Sequence, residues 1–342
     1  MTPVELSHTV LHAVRRAVDT GELSVALPER VLVGPPGAGG CGDYATNVAM
    51  QLARSAGRPP RQVAQVLLPH LREAEGVTDV VITGPGFLNI TLDGRAGAEL
   101  VRKILREGLR YGHSDALAGQ VVALLVPYEV RAEVVADAVA RIVASQGGRA
   151  EISHGDASGH GDMSVGHGPD HTPAPHPLRP VPAPRDPSVL GPDAGRWALL
   201  YPAPHDRPRI GAELLAQRDG NPLFRVRYAH ARTRALGRNA ADLGFRAEPG
   251  PVAGADSGRL EALLADHPRI LAASAAHRAP DRLARHLVTV ADAVLVLLPG
   301  VLPLGEEKPS AAHRARLALA EAAGTVLAGG LSLLGIDAPD HL

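Results

Sequence analysis

Between about Ser153 and Pro192 the chain runs SHGDASGHGDMSVGHGPDHTPAPHPLRPVPAPRDPSVLGP, where Gly, Pro and His replace the aliphatic residues found on either side. A segment of that composition cannot bury enough apolar surface to offset its ordering entropy, so residues 154–190 read as a disordered linker. No single core runs through it, and the 342 residues divide into separate parts. A hydrophobic content of 45% leaves each part enough apolar side chains for its own core.

Before the linker, Leu6, Val10, Leu11, Val14 and Val18 recur at helical spacing over Thr2–Asp19, and Asn47–Gly57 and Pro60–Glu73 repeat the pattern. Val31–Gly34, Asp79–Thr83 and Phe87–Leu92 read as strands, the last two joined across Gly84-Pro85-Gly86 as a hairpin. With a helix at Gly94–Gly108, residues 1–112 form an α+β domain with a small antiparallel sheet. Residues 113–153 read as one β-α-β fragment: strand Val121–Val126, helix Val130–Ser145, strand Ala150–Ser153. After the linker only helical patterns remain, at Gly211–Gln217, Asn221–Leu243, Gly258–Ala265, Ile270–Ala276, Asp281–Leu298 and Ala311–Leu334. Pro222, Pro268 and Pro280 stand at helix starts and Gly335 at a stop, so residues 191–342 form an all-α helical bundle.

Charge and cysteine usage narrow the function. With 35 basic and 36 acidic side chains, net −1, no global field draws the chain to a polyanion, and any such site is local. The single cysteine, Cys41, excludes a disulfide framework and a cysteine-built zinc site; it fits a reducing compartment and reads as a small buried residue. The apolar runs Val121–Val126 and Ala293–Leu298 are too short to span a bilayer, and Met1–Val10 has no basic-then-apolar signal pattern. The expectation is a soluble cytoplasmic protein with no membrane partner. His154, His160, His167, His171 and His176 lie at irregular spacing without a rigid setting, which gives adventitious metal binding only, so no metal site and no cofactor are expected. Asp43 reads as a cap for the helix that begins at Asn47.

The chain has nine aromatic residues, and four of them fall in polar or glycine-rich segments: Tyr44 in GDYATN, Phe87 in GPGFLNI, and Phe224 and Tyr228 in NPLFRVRYAHAR. The last segment opens a helix, and over the same stretch Arg225, Arg227, Arg232, Arg234, Arg238 and Arg246 face only Asp242. Such an excess suits a phosphate backbone, and equally suits a solvated face paired with the bundle's own acids. Phe87 and Asn89, two apart on a strand, share a face. They fit a ring that stacks on an unpaired base beside an amide that reads its edge, or a hairpin with Phe87 in the core and Asn89 holding a turn.

These motifs resemble arginyl-tRNA synthetase at both ends. Gly42–Ala53 (GDYATNVAMQLA) and Gly84–Ile90 (GPGFLNI) are similar to that family's N-terminal appended domain, over about residues 2–110. Asp193-Ala194-Gly195-Arg196, Asn221–Arg232 and Leu333–His341 (LLGIDAPDH) are similar to its DALR-type anticodon-binding domain. The resemblance implies that Phe87 and Asn89 touch a D-loop base of tRNA. It also implies that Tyr228, His230 and Arg232 border the anticodon stem and loop, with Arg225, Arg227 and Arg234 near phosphate.

The departures from the family bear on activity. The family's catalytic nucleotide fold carries H-x-G-H and K-M-S-K-S motifs. Here the strand Val121–Val126 runs into Pro127-Tyr128-Glu129-Val130-Arg131 with no histidine pair, and the only lysines are Lys103 and Lys308. Residues 113–153 look like a remnant of that fold, so the chain is expected to be no enzyme, with no catalytic residues and no small-molecule substrate. His286 and the aliphatic Val294–Leu298 stand where the family has rings, which reduces base stacking. The expected function is a non-catalytic tRNA-binding relative of the synthetase acting as carrier, sensor or regulator. The alternative is an adaptor that packs on the genuine synthetase or another protein without RNA.

Overall fold

A computed structural model describes residues 3–34, 36–37, 40–92, 94–155, 175–252 and 255–342. Two compact units draw on several stretches each: Met1–Lys103 with Phe245–Asp266 and Gly300–Leu319, and Ile104–Gly244 with His267–Pro299 and Ala320–Leu342.

The first unit contains α1 (Pro3–Asp19), β1 (Val33–Gly34), β2 (Tyr44–Thr46), α2 (Val48–Ala56), α3 (Pro60–Arg72), β3 (Val77–Thr83) and β4 (Phe87–Leu92). The strands form one antiparallel sheet in the order β1-β2-β4-β3. Its core follows the helical and alternating patterns: Leu6, Val10 and Val14 from α1, Val63, Leu67 and Leu71 from α3, and Val80, Leu88 and Ile90 from the sheet. Burying one such side chain contributes about 1.5–3 kcal/mol, and these contacts lock α1 and α3 onto the sheet. Pro60 opens α3, and Gly57 ends α2 in the left-handed region at φ 60°. The strand β2 was not expected. Tyr44 and Thr46 are buried, so Tyr44–Thr46 is a core strand and not an open recognition loop, while Gly42 and Asp43 before it are exposed.

The helix α4 (Gly94–Glu107) follows β4 along the chain, and in the second unit β5 (Val121–Val126), α5 (Val130–Ser145) and β6 (Arg149–His154) form the β-α-β fragment. A further parallel strand, β7 (His176–Pro177), pairs with β5 through Leu124 and Leu125, so the sheet has the order β6-β5-β7. Residues 175–190 were read as linker from their composition. They are instead structured, because Leu178 and Leu190 are buried and a short 3-10 turn spans Pro187–Leu190. Three of the linker histidines, His160, His167 and His171, lie outside the described residues.

The remaining helices are α6 (Gly191–Leu200), α7 (Pro222–Asp242), α8 (Ala255–His277), α9 (Pro280–Leu297) and α10 (Ala311–Leu333). Pro268 does not start a helix: α8 continues through it. The lost backbone donor is outweighed by the buried stripe Leu260, Leu264, Leu271 and Ala275, which keeps one helical face apolar across the break. By length and composition Pro280–Gly300 is apolar enough to cross a membrane, unlike the short run seen in the sequence, but Leu283, Leu287, Val290 and Val294 are buried in the fold.

Candidate nucleic-acid interface

In the first unit the GPG turn needs its glycines. Gly84 has φ +52°, and Gly86 has φ +145° with the Pro60 backbone 2.9 Å from where a Cβ would stand. This turn presents Phe87, opposite Thr83 across the hairpin, with 39% of its surface exposed. Asn89 has the opposite fate and is 2% exposed. Its amide donates to Thr83 Oγ1 at 2.7 Å and to the Val81 carbonyl at 3.3 Å, while its Oδ1 accepts the Cys41 N–H at 3.3 Å. The two residues are therefore not a ring and a free amide side by side. Phe87 is open, and Asn89 ties the hairpin to the chain at 40–41.

Neighbouring readings change with this geometry. Cys41 is exposed and not buried. Asp43 does not cap α2: its Oδ2 accepts the Leu92 N–H at 2.7 Å, and its own N–H donates to the Ile90 carbonyl. Thr46 Oγ1 accepts the Val48 N–H instead. Glu261 of α8 shares this unit with Asp43; burial first, and then the Asp43 charge, push its pKa up to about 7.

In the second unit α7 begins at Asn221, whose Oδ1 accepts the Leu223 N–H, followed by Pro222 in the first turn. The arginines that this helix carries are mostly paired with acids far away in sequence. Arg225 meets Asp292 at 2.8 Å, Arg227 meets Asp193 at 3.5 Å and Asp337 at 4.0 Å, and Arg234 meets Asp340 at 3.1 Å. His230 is buried, with Nδ1 3.1 Å from the Gly324 carbonyl and Nε2 3.5 Å from Asp340. Of the expected contacts on α7, Arg232 is exposed with no partner among the described residues, and Tyr228 is exposed and stacked on Phe224 at 5.4 Å. His286 is buried against His267, ring to ring at 5.3 Å, and burial holds His267 neutral by lowering its pKa well below the usual value.

The turn from β5 into α5 is filled by the chain itself. In nucleotide-binding folds the N-terminus of such a helix receives a phosphate. Here Glu129 caps it: Oε2 accepts the Ala132 N–H at 2.9 Å and Oε1 accepts the Ala183 N–H at 3.0 Å. Arg131, fully buried, donates to the carbonyls of Leu199, Val181, Asp206, Pro202 and Ala203 at 2.7–3.0 Å. No pattern in the sequence marked these long-range contacts, because the carbonyls that Arg131 meets lie 50–75 positions away and the Ala183 N–H that Glu129 accepts lies 54 away.

The geometry defines a protein with an exposed ring on a hairpin in one unit and a basic, partly paired helix in the other. Comparison with known proteins gives the family. Residues 5–92 match the arginyl-tRNA synthetase N-terminal domain and residues 226–342 match the DALR anticodon-binding domain, with residues 93–225 between the two matches. An arginine–tRNA ligase from Frankia alni is 41% identical over 157 residues, 43% of this chain and 28% of that protein. One from Pseudarthrobacter chlorophenolicus is 26% identical over a 561-position alignment that spans both chains. A solved arginyl-tRNA synthetase from Thermus thermophilus shares the fold at TM-score 0.69 and 15% identity, the match covering 100% of each chain. The matched segments span about a quarter of the length of the first curated relatives. This chain is an arginyl-tRNA synthetase-related protein that carries the N-terminal and DALR domains of that family.

Proposed function

We propose that the chain binds tRNA without aminoacylating it, in the cytoplasm, as a carrier, sensor or regulator. Binding is supported by the matches to the N-terminal and DALR domains, and the absence of aminoacylation rests on the β5–α5 turn. A carboxylate, Glu129, sits at the helix N-terminus where a nucleotide phosphate would be bound, and Arg131 gives its donors to backbone carbonyls. An anion placed there meets a like charge and finds the Ala132 N–H already engaged. In this reading Phe87 stacks on an unpaired tRNA base, while Arg232 and the Phe224–Tyr228 pair face the anticodon arm. Asn89 acts one step back, by holding the hairpin that presents Phe87.

A second reading, a protein adaptor, is favoured by the ion pairs of Arg225, Arg227 and Arg234, which leave less free positive charge for RNA than the sequence implies. Its partner is the genuine synthetase or another protein. Crosslinking in cells, followed by sequencing of the attached RNA, separates the two. Recovery of tRNA supports the first; a protein partner retained after RNase treatment, with no enriched RNA, supports the second.

A further inference from the structure

The second unit holds a cleft of about 710 Å³ away from the arginine face of α7 and from the filled β5–α5 turn. Its floor is Trp197 and Tyr201, one helical turn apart on α6 and its end, with ring centroids 5.3 Å apart and planes at 16°. Trp197 is 1% exposed, and its indole Nε1 is buried with no hydrogen-bond partner. Around the rim stand Arg207 and Arg209, both exposed and without a partner among the described residues, and Arg285, which shares the Asp281 carboxylate at 3.2 Å. Two acids also line the cleft: Asp206 lies 3.7 Å from His205, and the Glu213 carboxylate folds against Gly211. The N-terminus of α7, at Pro222, forms one wall and has no acidic residue in its first turn, so its dipole adds to the positive side.

Arg131 makes the floor rigid. Arg131 ties the carbonyls of Leu199, Pro202, Ala203 and Asp206, which are the backbone on which the cleft is built. A flat ring surface next to two unpaired guanidinium groups suits a ligand with one planar face and one doubly charged end. Arginine recognises phosphate oxygens bidentately, and Tyr201 offers a ring to a nucleobase.

We propose that this cleft binds a nucleotide monophosphate, with its base against Tyr201 and its phosphate between Arg207 and Arg209. The ligand chemistry is that of either a free nucleotide or a terminal nucleotide of RNA.

Trp197 is the chain's only tryptophan and reports from the site itself. The test titrates the full chain with AMP, with a 5′-phosphorylated RNA trinucleotide and with inorganic phosphate, following Trp197 emission with calorimetry on the same samples. The expected result is a saturable change with AMP. In the R207A/R209A double variant, two exposed positions whose replacement leaves the circular dichroism unchanged, half-saturation moves at least tenfold higher. Tighter saturation by the trinucleotide than by AMP identifies an RNA end as the source; the reverse order identifies a free nucleotide. The proposal is overturned by any of three results: neither saturable emission change nor heat with AMP and trinucleotide; an unchanged titration in R207A/R209A; or half-saturation by inorganic phosphate equal to that by AMP. The F87A variant, altered in the other unit, leaves the AMP titration unchanged, so this test and the tRNA-binding reading fail separately.

Discussion

The Arg131 guanidinium donates to the Leu199 carbonyl at 3.0 Å, across 68 residues of sequence and with both groups buried. Four more carbonyls take the remaining donors, so the side chain organises the whole passage from Val181 to Asp206. Replacing Arg131 with Met leaves those carbonyls without partners in a dry site and is expected to lose about 3–5 kcal/mol. Arg131→Lys restores three donors at most and falls between the two. Urea unfolding of the three proteins checks the order; an Arg131→Met protein as stable as the parent would contradict it.

Glu261 links stability to pH. Its folded-state pKa, pushed up to about 7 by burial and by Asp43, lies above the unfolded value of about 4.5. Between those values the folded state binds the proton and the unfolded state does not, so the stabilisation is fully present below about pH 4.5 and is lost as pH rises toward 7. At roughly 1.4 kcal/mol per pH unit the loss is on the order of 3 kcal/mol. Glu261→Gln is expected to remove that slope and to be the more stable protein at pH 8. Chemical denaturation at pH 5, 6, 7 and 8 reads it directly, and parallel curves for the two proteins would refute the assignment.

Phe87 and Asn89 are expected to separate function from stability. Phe87→Ala removes an exposed ring and should reduce tRNA affinity by about 1–3 kcal/mol with little change in unfolding midpoint. Asn89→Ala breaks three internal hydrogen bonds and should destabilise the fold by about 1–3 kcal/mol. Paired binding and denaturation curves decide; a large stability loss in Phe87→Ala would return that ring to the core.

The arginines of α7 should likewise sort by partner. Arg232→Ala is expected to weaken tRNA binding and to lower the slope of log affinity against log salt by about 0.9. Arg225→Ala, already paired with Asp292, should leave that slope nearly unchanged. Binding measured across a salt series distinguishes them, and equal slopes for both variants would show that pairing does not decide which arginine meets RNA.

Local pattern made much of this fold readable. The stripe Leu6, Val10, Val14 placed α1, and the glycines of Gly84-Pro85-Gly86 placed the hairpin, since both signals lie within a few residues. What escaped was set by distant neighbours. The strand β2 has three residues and exists through its pairing with β4; β7 has two and exists through β5. Pro268 ends no helix, because burial on both sides overrides it. At the site the family motifs pointed to Phe87 and α7, and the residue pattern left open both an Asn89 that holds a turn and arginines paired with the bundle's own acids; that Asn89 is buried, and that the acids are Asp292 and Asp340, only the folded chain shows. Charge counted along one helix misses acids supplied by others.

The central claim, that the chain holds tRNA, is tested most directly by titrating the full-length protein into fluorescently labelled tRNA at low salt and again at raised salt, following anisotropy. The account predicts saturable binding at low salt that weakens steeply as salt rises and is further reduced in Phe87→Ala. No saturable binding at low salt would contradict it.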